Sequence, residues 1–153
     1  MIILGIDPGY ATVGYGIIET DGMRFRTVDY GAVTTPANTS FDIRLEMIYD
    51  GICELCGRYK PDAASVEELF FNTNITTGIA VGHSRGVILL ALRKSGVDFY
   101  EYTPLQVKQS VVGYGRAEKK QVMIMTKTLL GLERMPRPDD AADALALAVC
   151  HAH

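Results

Sequence analysis

The chain has few cysteines, no surplus of positive charge and no long apolar run, and each shortage excludes a class of protein. Cys53, Cys56 and Cys150 are an odd, sparse set with no secretory leader before them, which argues for reduced thiols rather than a disulfide framework. Cys53 and Cys56 have the spacing of half a zinc knuckle. No second Cys or His pair is near in sequence, and His151 and His153 can join them only through the fold. A structural zinc site needs four ligands, so two thiols buried on an amphipathic helix is the preferred reading. No apolar run approaches the roughly 18 residues of a membrane span. The opening Met1-Ile2-Ile3-Leu4 carries no basic region and meets Asp7 too soon for a signal peptide. A cytoplasmic protein with no membrane partner is therefore expected.

Fifteen basic residues against eighteen acidic ones give a formal net charge of −3. Bulk charge does not announce a nucleic-acid binder, but its distribution is uneven. Between Thr103 and Leu130 the chain holds Lys108, Arg116, Lys119, Lys120 and Lys127 against Glu118 alone. Acids gather at Glu67-Glu68 and Asp139-Asp140. A basic segment beside separated acidic points suits a phosphate-binding surface around a metal site. On charge alone, a solvated helix face fits as well.

A length of 153 residues is one domain's worth, residues 1–153, with no internal repeat, low-complexity tract or linker. Ile2 to Ile6 reads as a buried strand stopped by Asp7-Pro8-Gly9. Val13 to Thr20 and Phe25 to Val33 read as two more strands, joined by a hairpin at Asp21-Gly22. Ser40 can cap a helix carrying an apolar stripe of Phe41, Leu45, Ile48, Ile52, Leu55 and Tyr59, with Pro61 at its exit. Ala63 to Glu67 reads as a short strand, and Phe70 to Thr77 as a loop. A second helix is expected from about Thr77 to Lys94, and a fifth strand at Val97 to Tyr100. Helices near Pro104–Val111 and Glu118–Leu130 follow, and a last one starts at about Asp139. This order describes an α/β fold, a five-stranded mixed sheet flanked by helices, with strands one, four and five parallel.

Asp7 and Glu67 each end a strand, and open α/β sheets gather their sites at the carboxyl ends of strands. Asp140 and Asp143 are three apart on the last helix and share a face. If that helix starts over the sheet edge, four acids meet. Each has a plainer reading: Asp7 as a turn residue, Glu67 and Glu68 as a solvated strand end, Asp139 and Asp140 as acids at a helix N-terminus. Asp143 is harder to dismiss, because it lies inside an alanine- and leucine-rich run and a carboxylate there needs a partner. Two like charges about 4 Å apart repel by about 4 kcal/mol at an effective dielectric of 20. Massed acids therefore call for cations. Carboxylate oxygens suit Mg²⁺, and two such ions serve phosphodiester hydrolysis.

Gly5-Ile6-Asp7-Pro8-Gly9 with Gly14-Tyr15-Gly16, then Val66-Glu67-Glu68-Leu69-Phe70, then Gln106-Val107-Lys108-Gln109 to Gly113 with Ala117-Glu118-Lys119, then Asp140-Ala141-Ala142-Asp143-Ala144-Leu145 together resemble the RuvC family of Holliday junction resolvases. The likeness runs through essentially the whole chain, in order. The resemblance implies a ribonuclease-H-like fold and a homodimer that nicks two strands of a four-way junction symmetrically, with RuvA and RuvB as partners. It implies two Mg²⁺ ions per subunit, with Mn²⁺ able to substitute, held by Asp7, Glu67, Asp140 and Asp143. It makes Lys119 a catalytic and DNA-contacting residue, Lys108 and Arg85 phosphate contacts, and Phe70 a ring that stacks on junction bases, although Phe71 doubles that aromatic. Some members carry a basic residue where this chain has Tyr10-Ala11. Gly78, Gly82 and Gly86 make a small-residue stripe suited to packing on the sheet or across a dimer axis.

Three rival readings have cheap discriminators. A sugar-kinase or actin-like ATPase shares the look of Asp7 to Gly16 but needs two related halves. Another ribonuclease-H-like nuclease, ribonuclease H proper, shares the fold and metals but cuts RNA in hybrids, and an assay offering both substrates separates the two. A non-catalytic junction-binding module is expected to have lost an acid, and none is missing here.

Overall fold

The computed structural model describes residues 1–68 and 75–153. Within them the chain runs β1 (Ile2–Asp7), β2 (Thr12–Thr20), β3 (Phe25–Thr34), α1 (Phe41–Tyr59), β4 (Ala63–Glu67), α2 (Ile75–Lys94), β5 (Phe99–Tyr102), α3 (Pro104–Val111), α4 (Lys119–Leu129) and α5 (Asp139–Ala152). The strands form one mixed sheet in the order β3-β2-β1-β4-β5. The first three are antiparallel neighbours, and β4 runs parallel to β1 and β5. This is the α/β class and the strand direction expected from the pattern of elements.

Strand alternation sorts the residues onto two faces. Leu4, Ile6, Val13, Ile17, Ala64 and Val66 point to one side, where Ile48 and Ile52 of α1 and Ile88 and Leu92 of α2 complete a core cluster. Ile3 and Ile18 point to the other, against Leu145 to Cys150 of α5, with α3 and α4 outside it through Val107, Val111 and Val122. By the same period of two, Asp7 follows Ile3 and Gly5 onto the α5 face. Glu67 follows Ser65, whose hydroxyl donates to the Leu147 carbonyl of α5 at 2.6 Å.

Glycine lets α5 come that close. A Cβ on Gly5 would fall on the Ala144 carbonyl, and one on Gly14 on the Asp140 carbonyl; one on Gly16 would lie 2.7 Å from Leu145 Cδ2. These strand glycines mark a close backbone approach. Gly14→Ala is expected to destabilise the fold by about 1–3 kcal/mol through overpacking. Urea denaturation checks this, and an unchanged midpoint would contradict the contact.

Some boundaries differ from expectation. The fifth strand begins at Phe99, not Val97, because the chain leaves α2 through Gly96 at φ 74° and the Val97 N–H closes back on the Leu92 carbonyl. That shift pairs Glu67 with Tyr102. The second helix starts at Ile75, two residues earlier than expected. Ser40 sits at the N-cap of α1 without a cap bond, its hydroxyl donating to Asp42 instead. Phe41, expected in the apolar stripe, is exposed. Gly86 of the small-residue stripe faces open space.

Among the described residues, α2 is the helix long and apolar enough to cross a membrane. Its Ile88, Ala91 and Leu92 are instead buried in the core, and its Arg85 is ion-paired. The three cysteines are free thiols, Cys56 and Cys150 buried and Cys53 half-buried.

Candidate active site

The register of β1 on β4 pairs Gly5 with Ser65 and Ile6 with Val66. One step further along the ladder, Asp7 stands beside Glu67 at the carboxyl ends of both strands. Parallel neighbours lie about 4.8 Å apart, so two carboxyl groups on one face there must touch or repel. They touch: Asp7 shares hydrogen bonds with both Glu67 and Asp143. The α5 helix supplies the remaining acids, its first turn pressed onto Gly14 of β2. Asp7, Asp140 and Asp143 each offer a carboxylate oxygen, and these oxygens lie within 4.8 Å of one another. Glu67 stands outside that trio and joins it through Asp7.

The cluster is electrostatically unfavourable without a cation. Burial, then the charges of Glu67 and Asp143, push the Asp7 carboxyl from 3.8 up to about 9. Burial also raises Glu67, while the Asp7 hydrogen bond and the Lys119 charge pull it back. Asp143 is raised by burial against the pull of Lys119. Lys119 Nζ lies 3.4 Å from Asp143 Oδ2, and the Asp143 charge lifts the ammonium above its ordinary range. One lysine cannot neutralise four acids. The donor set is all oxygen and all anionic, the chemistry that a hard divalent cation selects.

A cleft of about 240 Å³ opens beside the acids. Glu67, Asp143, Lys108 and Lys119 supply its polar wall, and Val107, Val122, Ala146 and Leu147 its apolar floor. Lys119 arrives as the first residue of α4. Lys108 rides α3, whose start is fixed by a capping box between Thr103 and Gln106. The two lysines expected from the sequence thus share one cleft with two of the acids.

Arg85 is placed differently from a free phosphate contact. Its Nε donates to the Glu67 carbonyl at 3.2 Å, and its guanidinium pairs with Glu101 of β5. The side chain is 13% exposed. It ties α2 to the ends of β4 and β5. Phe70 and Phe71 lie outside the described residues. Sequence reasoning missed Ser84, a buried hydroxyl that donates to the Gly9 carbonyl and anchors α2 to the turn after Asp7. It also gave no role to Arg44, which braces the far side of the same turn.

Carboxylates at the ends of two central parallel strands, met by two more on the last helix of a mixed five-stranded sheet, define a nuclease of ribonuclease-H-like fold. The family model described as crossover junction endodeoxyribonuclease RuvC matches residues 3–151, and the chain belongs to that RuvC family. The crossover junction endodeoxyribonuclease RuvC of Alkaliphilus metalliredigens is 60% identical over 153 residues, covering 100% of this chain and 93% of the relative. That of Ruminiclostridium cellulolyticum is 58% identical over 151 residues, covering 99% of this chain and 91% of the relative. The solved structure of Thermus thermophilus RuvC in complex with a Holliday junction substrate superposes with a TM-score of 0.94 at 37% identity, covering 99% of this chain and 93% of that one. The yeast mitochondrial Holliday junction resolvase shares the fold, with a TM-score of 0.69 at 12% identity and coverage of 98% and 78%.

Proposed function

We propose that this chain resolves Holliday junctions in homologous recombination and DNA repair. It is a structure-selective DNA endonuclease that makes paired, symmetric nicks and leaves 5′-phosphate ends. The observation that carries this reading is the convergence of Asp7, Glu67, Asp140 and Asp143 on one sheet edge, in a chain that matches the family from end to end. The four acids would hold two Mg²⁺ ions per subunit, with Mn²⁺ able to substitute. When bound, Mg²⁺ would supply Lewis-acid charge and lower the pKa of a water, so that a hydroxide nucleophile is available for phosphodiester hydrolysis.

The chain's own residues do the rest. Asp7 would hold the cation as a carboxylate, between Glu67 on β4 and Asp143 on α5. Lys119 balances Asp143 in the free protein and stabilises charge on the phosphoryl oxygens when DNA enters. Lys108 holds a neighbouring phosphate from the same cleft, and Phe70 stacks on junction bases, since every base offers a π-face. Arg85 serves the site through the Glu67 carbonyl. RuvA and RuvB are the branch-migration partners, and the cytoplasm is the compartment.

Incubation with a synthetic four-way junction and Mg²⁺, with nicks mapped on all four strands, tests the reading. Paired nicks on two opposite strands, sealable by ligase, are expected. Robust cutting of an RNA–DNA hybrid beside an untouched junction rejects it.

A four-way junction presents two equivalent strands about a two-fold axis, so the active species is a homodimer with two matching sites. The solvent side of α2 supports a face for the second copy: Ile75, Ile79 and Leu90 are 71%, 52% and 53% exposed, and Gly86 leaves room for close approach. Mixed dimers of wild type and Asp7→Asn are expected to leave a cruciform plasmid nicked once, where wild type linearises it. A monomer that linearises the plasmid in one binding event overturns the dimer.

A further inference from the structure

We propose that Arg44, seated on Tyr10, is a second phosphate-binding post that holds the DNA backbone on the β2/β3 side of the acid cluster. The proposal rests on the junction-cutting reading for the identity of the DNA, and extends it to a surface that the catalytic residues do not touch.

Arg44 Nε donates to Thr35 Oγ1 at 2.8 Å. The Thr35 hydroxyl donates in turn to the Tyr10 carbonyl at 2.6 Å, and the Thr35 N–H to the Ala11 carbonyl at 2.9 Å. The guanidinium carbon lies 5.1 Å from the centroid of the Tyr10 ring. Tyr10 is itself propped edge-on by Phe41, with ring centroids 6.2 Å apart, and Phe41 by His83 at 5.9 Å. One nitrogen and the orientation of the guanidinium are thus fixed, and its two terminal nitrogens donate no hydrogen bond to protein among the described residues.

The charge is also unpaired. No carboxylate among the described residues lies within 4.0 Å of Arg44, and residues 69–74 contain no acid. Half-buried arginines ordinarily find a carboxylate, because their fork geometry and charge favour one. An ordered, partly desolvated guanidinium with a free edge is arranged for an anion that the protein does not itself supply. Ordering the side chain before binding lowers the entropy cost of that contact.

Position decides which anion. Thr35 follows β3, whose Thr34 pairs with Thr12 at the start of β2, and β2 neighbours β1. At about 4.8 Å per strand, Arg44's anchor stands about 10 Å from the Asp7 strand. Lys108 and Lys119 stand on the opposite flank, with β5, α3 and α4. Arg44 rises from α1, across the sheet from α5, so cations flank the acids at this end of the sheet from opposite faces. A nucleic-acid strand rises about 3.4 Å per nucleotide, so a backbone lying across Asp7 presents another phosphate to Arg44 a few nucleotides away.

The test is the salt dependence of binding in EDTA, where no cutting occurs, with wild type, Arg44→Gln and Arg44→Lys on both a four-way junction and a linear duplex. A residue that neutralises a phosphate contributes about one unit per protomer to the slope of log affinity against log salt. Arg44→Gln is expected to weaken binding at low salt and to lower that slope by about one per protomer, while Arg44→Lys keeps the slope. An unchanged slope in Arg44→Gln overturns the proposal, whatever happens to the melting temperature, because a residue that only braces the Tyr10 turn releases no counterions. Wild type that binds the junction no better than the duplex counts against junction recognition alone, since the duplex slopes still read Arg44. Failure to bind either DNA overturns both.

Discussion

Asp7→Asn is expected to lower single-turnover nicking of a four-way junction by about 10²- to 10³-fold, the scale of losing one preorganised electrostatic group, while junction affinity in EDTA stays within about threefold because lysine and arginine contacts to phosphate carry binding. Asp7 is the one acid in direct contact with acids from both other elements: it hydrogen-bonds Glu67 on β4 and Asp143 on α5. Asn keeps the size and one hydrogen-bond donor and removes the charge that a cation needs. The substitution therefore tests charge rather than packing. Parallel gel-shift and nicking assays on one preparation decide it, and near-normal nicking by Asp7→Asn would remove Asp7 from the site. Lys119→Ala, whose ammonium is exposed and pairs with Asp143 alone, is expected to show a smaller loss in the same assay.

The acids were legible in the sequence because strand ends are. Apolar runs stopped by Asp7-Pro8-Gly9 and by Glu67-Glu68 locate two carboxyl termini, and β4 and α5 begin where the pattern puts them. What the pattern cannot supply is register. That Asp7 falls beside Glu67 depends on Gly5 pairing with Ser65, a choice made by packing on both faces. The role of Gly14 was hidden for the same reason, since a missing Cβ matters only once the Asp140 carbonyl lies over it. Ser84 and Arg44 were missed because a local window does not contain their partners: Ser84 reaches Gly9, 75 residues away, and Arg44 works through Tyr10 and Thr35. Arg85 was noticed for its charge, but its surroundings engage it with Glu67 and Glu101. A charge visible in sequence names a capability, and the fold decides which neighbour uses it.

In EDTA, the protein is expected to lose thermal stability steadily as pH rises from 6 to 9, and Mg²⁺ is expected to restore it, most strongly at the alkaline end. The folded Asp7 carboxyl titrates at about 9 against an ordinary 3.8. Between those values the folded state holds a proton that the unfolded chain has released. Stability then falls with pH; the contribution is complete below 3.8 and gone above about 9. Glu67 and Asp143 are displaced in the same direction, so they add to the loss. A single proton sets the slope near neutrality at no more than about 1.4 kcal/mol per pH unit. For a chain of this size that corresponds to roughly 3–6 °C per pH unit. A cation that binds only the folded, deprotonated cluster replaces the proton, so its stabilisation grows with pH. Asp7→Asn removes the titrating group, and its melting temperature in EDTA is expected to be nearly flat across the same range, with little response to Mg²⁺. Calorimetric melts of both proteins, with EDTA and with millimolar Mg²⁺ at pH 6, 7.5 and 9, read all of these terms together. A wild-type melting temperature independent of pH in EDTA, or an equal slope in Asp7→Asn, would mean that Asp7 is ionised in the free protein and that the four acids stand further apart than one shared proton allows.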